Sequence, residues 1–308
     1  MEEIKIFKEV ELTDPVMIAG WPGMGSVALG VVDYLHRKLP SEKLAEIRLD
    51  PMAMIDSVVI EEGVASMPPG PKNMLFYTKN PDLIILEGEV QLAGPAGVAL
   101  LNKVLDMAVR YNVKAIYTGA AFPLPISHKE DPDIYGAVNN KATRPMLSKY
   151  GIKTMEAGHI SGLNGLVLGL AKERNINAFC LLATMPQYAI SLPNPKASAA
   201  IIEALQKILN FVVSLEEMDD YIRDMDEKLS SIEDKIKDVM PLENNKDVES
   251  PPPAQKRTPG YIIEKIEKLF REAKKDRSRA KELKTELDRW DLYEIYEDRF
   301  LDLFKDSQ

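Results

Sequence analysis

The sequence predicts an α/β fold: a mostly parallel, twisted sheet with helices on both faces, followed by a C-terminal helical and coiled-coil appendage. Three observations predict it. From residue 1 to about 200, short apolar runs alternate with segments of helical period, the pattern of strands joined by crossover helices. Several of the apolar runs end in glycine, at Gly20, Gly88 and Gly119, as befits the carboxyl edge where such sheets carry their sites. Beyond residue 214 the apolar period changes to a heptad.

The elements follow in order. Strands are expected at Val16–Ala19, Leu44–Leu49, Leu83–Leu86, Ala115–Thr118 and Ala178–Ala183, where short apolar runs are bounded by turn residues. Helices are expected over about 25–38, 95–111, 141–150, 162–174 and 195–240. Segments near 57–60 and 73–78, flanking Pro68-Pro69-Gly70-Pro71, predict a hairpin excursion. The core is assigned to 1–213. A coiled-coil helix over 214–240 places Leu215, Met218, Ile222, Met225, Leu229, Ile232, Ile236 and Val239 at spacings of three and four. PLENNKDVESPPPAQKRT, residues 241–258, reads as a flexible, proline-stiffened linker. A last helix over 259–308 starts at Thr258-Pro259 and carries Ile262, Ile266, Leu269, Ala273, Ala280, Leu283, Leu287 and Trp290 on its seam, with Asp276 as the odd member. Two arrangements stay open: the helices fold back on each other, or the first pairs with its counterpart in another subunit.

The 308 residues are 45% hydrophobic and carry a formal charge of −9. An acidic chain lacks the clustered Lys and Arg that nucleic acid or an anionic membrane requires. The single cysteine, Cys180, sits in the apolar run Ala178–Leu182 and reads as a buried strand residue. No signal peptide is visible after Met1-Glu2-Glu3, and Asn102-Lys103 and Lys172-Glu173-Arg174 interrupt the longest apolar stretches. The expected location is the cytoplasm.

GWPGMGSVALG, residues 20–30, offers the most pointed functional question. Gly23-x-Gly25-x-x-Ala28 after a strand resembles a dinucleotide-binding loop, and Asp50 stands where a ribose-binding acid is expected. Against it, Pro22 has no N–H to give a phosphate, and Ser26 with Gly25 can serve as a helix start. No Gly-Lys-Ser/Thr follows, which counts against a triphosphatase loop. Trp21, Gly23, Met24 and Gly25 therefore become candidates for a ligand site or an interface. Glu89 and Gln91, after the strand at 83–86, are rim candidates, while Glu87 reads as a turn or solvent-facing acid. In GHISGLNGLVLG, 158–169, Ser161 fits an N-cap and Asn164 a ligand contact or a local hydrogen bond. His36, His128 and His159 are far apart and show no metal-pair spacing. AFPLPISHKEDPD, 121–133, reads as a rigid surface loop. No catalytic set, metal site or cofactor is expected.

GWPGMGSVALG, GEVQ at 88–91, TGAAFP at 118–123 and GHISGLNGLVLGLAKERNINAFCLLATMPQY at 158–188 together resemble the proteasome assembly chaperone family, in particular archaeal and bacterial homologues of the second eukaryotic assembly chaperone. The resemblance covers about residues 1–240. It implies a topology related to purine nucleoside phosphorylases without an established catalytic site, self-assembly into trimers or larger oligomers, and binding to proteasome α subunits or assembly intermediates. The sequence ends Phe304-Lys305-Asp306-Ser307-Gln308. It lacks the hydrophobic–Tyr–any-residue ending with which some members dock on α subunits, so that mode does not carry over. The rival reading is an enzyme or sensor for a nucleoside-like or phosphorylated small molecule, held at the glycine-rich edge by Glu89, Gln91 and Asn164. A third is an adaptor whose helical tail carries the partner site.

Overall fold

The computed structural model describes residues 4–49, 58–67, 70–239, 260–275 and 277–289, with 293, 296, 299, 300 and 303 beyond them. The chain divides into two compact units, Met1–Asn244 and Asn245–Gln308.

In the first unit the chain runs β1 (Ile4–Ile6), β2 (Val16–Gly20), α1 (Val27–Lys38), β3 (Glu42–Ile47), β4 (Val59–Glu61), β5 (Val64–Ser66), β6 (Asn73–Thr78) and β7 (Leu83–Gly88). It continues through α2 (Gly94–Arg110), β8 (Ala115–Leu124), β9 (Ile134–Val138), α3 (Pro145–Lys149), β10 (Lys153–Thr154), α4 (Leu163–Glu173), β11 (Asn177–Pro186), α5 (Pro195–Leu209) and α6 (Glu216–Val239). Nine strands form one sheet in the order β1-β3-β6-β7-β2-β8-β11-β9-β10. The centre is parallel, with β2 between β7 and β8 and β8 beside β11.

The expected mostly parallel sheet needs correction. The β1/β3, β3/β6, β6/β7 and β11/β9 ladders are antiparallel, so the sheet is mixed. The segment at 73–78 does not close a hairpin with 57–60. It enters the main sheet as β6, between β3 and β7, while β4 pairs with β5 in a separate two-stranded hairpin. Nearly continuous apolarity in β6 and β7 fits a strand buried on both faces in either direction, so periodicity did not distinguish them.

Period-2 alternation divides the core between the two faces. On one side Ile18, Leu83, Ile85, Phe179, Leu181 and Ala183 pack with Val31 and Leu35 of α1 and Ile201 and Leu205 of α5. On the other, Met17, Ala19, Ile84 and Leu86 pack with Leu100, Leu101 and Val104 of α2 and Leu163 and Val167 of α4. Helices thus cover both faces.

The helix expected over 195–240 is two. α5 ends where Asn210 adopts the left-handed conformation, φ 52° and ψ 53°, one of the few non-glycine residues that tolerates it. α6 then turns its apolar stripe onto the chain's own core. Met218 and Leu229 are buried there, and Leu215, Ile222 and Met225 pack beside them. These five residues, expected in a coiled-coil seam, are covered within the unit. A stripe three and four residues apart has the same period whether a helix faces another helix or a sheet layer. Ile232 is half-buried, and the side chains of Ile236 and Val239 lie outside the described residues.

The second unit holds α7 (Gly260–Lys275), a short 3-10 turn at Arg277–Arg279 and α8 (Ala280–Arg289). Its core joins Ile266, Leu269, Phe270 and Ala273 to Ala280, Leu283, Leu287 and Phe300. The single helix expected over 259–308 is therefore broken near 276, the position at which the seam carried its odd residue. The linker 241–258, the Thr258-Pro259 helix start, Asp276, Trp290 and the side chain of Ile262 lie outside the described residues, as does Asp50.

Candidate functional site at the glycine-rich edge

The loops that leave β2 and β7 and the loop that enters α4 meet at the carboxyl edge of the sheet. Trp21 is fully buried. Its backbone N–H donates to Asn164 Oδ1 at 3.0 Å, and its carbonyl accepts from Asn164 Nδ2 at 3.0 Å. The indole Nε1–H donates to Asn73 Oδ1 at 3.1 Å. Thr118 Oγ1 donates to the Asn164 carbonyl at 2.7 Å, which fixes the first turn of α4 against β8. Asn164 is thus a two-point clamp between loops 143 residues apart in sequence.

Gln91 joins the same cluster. Its Nε2 donates to the Pro22 carbonyl at 2.9 Å, and its Oε1 accepts the Leu163 N–H at 2.8 Å. Gln91 therefore satisfies one of the open amides at the start of α4. Ser161 does not cap that helix: the N-cap residue is Gly162, with no side-chain cap bond of its own. Glu89 lies at the rim, accepting the Lys72 N–H at 2.9 Å. Ser26 does hold the N-cap position of α1, but in the left-handed region and without a side-chain cap.

Two glycines are required by this packing. Gly25 has φ 63°, and a Cβ there would lie 2.8 Å from Met185 Sδ. Its N–H donates to Ile190 O at 2.9 Å, and its carbonyl accepts the Asn194 N–H at 2.7 Å. A Cβ on Gly88 would lie 2.1 Å from Trp21 Cδ1, so the indole occupies the volume a side chain would need. Gly23, by contrast, has extended backbone at φ −164° and stands with Met24 at the surface. Trp21 is a core anchor, whereas Met24 is 47% exposed beside Ile190 at 41%.

The Trp21, Gly25 and Leu163 amides and the Asn164 and Gln91 side chains are bonded to other parts of the chain. The edge is a lock among three loops that exposes Met24 together with Glu89 and Gln91. Cys180 is also inert: burial pushes its thiol up to about 12.

A second cluster escaped sequence reasoning. The 121–133 segment is not a surface loop throughout, because β8 runs to Leu124 and His128 is buried. His128 Nδ1 lies 2.6 Å from Glu233 Oε2 on α6, and its Nε2 lies 3.0 Å from Ser230 Oγ. The carboxylate can only accept, so Nδ1 carries the proton. Tyr188 OH donates to Glu233 Oε2 at 2.8 Å, and Ser127 Oγ donates to Glu233 Oε1 at 3.1 Å and Oε2 at 2.9 Å. Burial, and next the Glu233 carboxylate, push the Tyr188 phenol well above its ordinary value.

Ser230, His128 and Glu233 stand in the order of a hydrolytic triad. The cavity bordered by His128 has a volume of about 10 Å³, the size of one water. The carboxylate is engaged by two neighbouring side chains besides the ring, Ser127 and Tyr188. The arrangement is a latch that fastens α6 to the core. No sequence pattern signals it, because its members come from segments about 100 residues apart.

Comparison with known proteins agrees with this architecture. An uncharacterised protein of Methanocaldococcus jannaschii is 26% identical over 234 residues, spanning 73% of this chain and 86% of that one. The crystal structure of Pyrococcus furiosus PbaB, described as an archaeal proteasome activator, superposes with a TM-score of 0.65 at 25% identity, over 76% of this chain and all of that one. That of P. furiosus PbaA, described as an archaeal homologue of proteasome-assembly chaperone, superposes with a TM-score of 0.59 at 20% identity, over 77% and 99%. The PAC2 family profile matches residues 17–233, from β2 through the Glu233 latch on α6, and on that match the chain belongs to the PAC2 family.

Proposed function

We propose that this protein is a non-catalytic, self-associating chaperone that binds proteasome subunits, α subunits first among them, during assembly. The observation that carries the reading is the likeness to PbaB over the whole of that chain. The edge geometry supports it. Glu89, Gln91 and Asn164 make hydrogen bonds that hold the loops together, and apolar surface is exposed beside them. Met24 and Ile190 supply such surface at the edge, and Val58, Ile60, Val64 and Met67 supply more on and beside the β4–β5 hairpin. Exposed apolar residues gathered on a projecting element fit a protein–protein contact.

The test is an assembly assay. Proteasome α subunits from the same organism are refolded with and without the full chain, and ring formation is followed by sedimentation. Faster or more complete ring formation is the expected result. Unchanged assembly, together with a thermal shift on adding a nucleoside or nucleotide, would favour the small-molecule reading instead.

A further inference from the structure

Asp33 and His36 lie one turn apart on α1, and Glu87 lies near the end of β7. One ligand atom from each falls within 4.8 Å of the other two. His36 Nε2 and Glu87 Oε2 are already 3.4 Å apart. Two ligands on one tetrahedral zinc ion, at about 2.0–2.2 Å from it, are separated by about 3.4 Å.

The imidazole is held for this task. It stacks on Phe76, with ring centroids 4.2 Å apart and planes inclined by 11°, which directs Nε2 at the Glu87 carboxylate. All three residues are half-buried, so a cation here would be partly withdrawn from water while keeping a route to it.

The carboxylate at the centre is poorly neutralised. Burial raises the Glu87 pKa first, and the charges of Asp33 and Glu89 raise it further, against the opposing influence of His36 and Arg37. Asp33 is engaged by Arg37, whose Nη2 stands 2.7 Å from Oδ2. That pair is four residues apart on a helix surface and 42% exposed on both sides. Arg37 Nε also donates to both Asp33 oxygens at 3.2 Å, so a cation here competes with this fork for the carboxylate.

We propose that Asp33, His36 and Glu87 form a binding site for a divalent transition cation of the zinc class, which ties α1 to β7. One nitrogen and two carboxylate oxygens suit such an ion better than calcium or magnesium, which prefer all-oxygen shells. Water completes the coordination. Arg37 is displaced toward solvent on binding.

The test is calorimetric titration of the full chain, freed of metal by chelation, with Zn²⁺. Saturable one-to-one binding and a raised melting temperature are expected for the parent. His36→Ala and Glu87→Gln are each expected to lose that binding, and His159→Ala to retain it. Glu87→Gln separates a ligand from a structural role. Removing a poorly neutralised carboxylate should leave the metal-free protein at least as stable as the parent at neutral pH, while abolishing the zinc-dependent shift. Absence of saturable binding in the parent overturns the proposal, as does binding that survives both His36→Ala and Glu87→Gln.

Discussion

Gly88 and Trp21 show how tightly single residues are bound at the edge. The indole fills the space beside Gly88, and its N–H is satisfied by Asn73. Gly88→Ala should cost about 1–3 kcal/mol or more through overpacking. Trp21→Ala should cost about 3–5 kcal/mol through the cavity it leaves. Urea unfolding of each variant checks both. Gly25→Val meets a forbidden conformation and Met185 together, so it should lower the melting temperature or prevent folding. A Gly25→Val protein as stable as the parent would contradict this packing of the loop.

Glu87 predicts a pH dependence at the same scale. Its folded pKa is raised, chiefly by burial. The folded state therefore holds the proton more tightly than the unfolded chain, and this contribution to stability is lost as pH rises through the folded pKa. In metal-free protein, Glu87→Gln should gain stability over the parent at pH 7, with the gain vanishing below the ordinary carboxylate pKa. Melting temperatures of both proteins from pH 4 to 8 measure this. The sequence showed Trp21, Gly25, Gln91 and Asn164 as special residues on one edge, because loops after strands gather there. It did not show what they bond to. Trp21 and Asn164 meet through two hydrogen bonds between the Asn164 side chain and the Trp21 backbone, and no local pattern encodes a partner 143 residues away. The histidines showed no metal-pair spacing in the sequence, and the cluster of Asp33, His36 and Glu87 forms only when the sheet brings β7 beside α1.

α6 is the element whose meaning the structure changes most. Its start is tied to α1, where Tyr34 OH donates to the Ser214 carbonyl at 2.8 Å and Lys38 pairs with Glu217. Its middle buries Met218 and Leu229, and Glu233 closes the latch with His128. Leu229→Ala should cost about 2–5 kcal/mol. Glu233→Ala leaves the buried hydrogen-bonding groups of His128 and Tyr188 without their acceptor and should cost about 1–3 kcal/mol. Amide hydrogen exchange of each variant should localise the loss of protection to α6 and the 125–133 segment. Protection unchanged in Glu233→Ala would show that the apolar stripe alone docks the helix. The heptad spacing was correctly visible as an amphipathic helix. The surface it meets was not, since the same stripe serves a coiled coil or a core.

At the scale of the whole molecule, the two compact units suggest a division of labour that can be tested. The family match ends at residue 233, and α7 and α8 enclose a core of their own. A fragment of residues 1–244 should melt within a few degrees of the full chain and keep its oligomeric state. Loss of partner binding on that truncation, with the core intact, would assign the partner site to the tail. Alternation of apolar runs made the α/β class readable, and each face of the sheet carries the helices expected of it. The strand directions were not readable, because β6 and β7 are apolar on both faces and carry no sign of which way the chain runs.

The most direct measurement is native mass spectrometry of the purified full chain, alone and mixed with proteasome α subunits from the same organism. A self-associating assembly chaperone should appear as a defined homo-oligomer that captures α subunits in fixed stoichiometry. A monomer, or an oligomer that leaves α subunits unbound, would contradict that role.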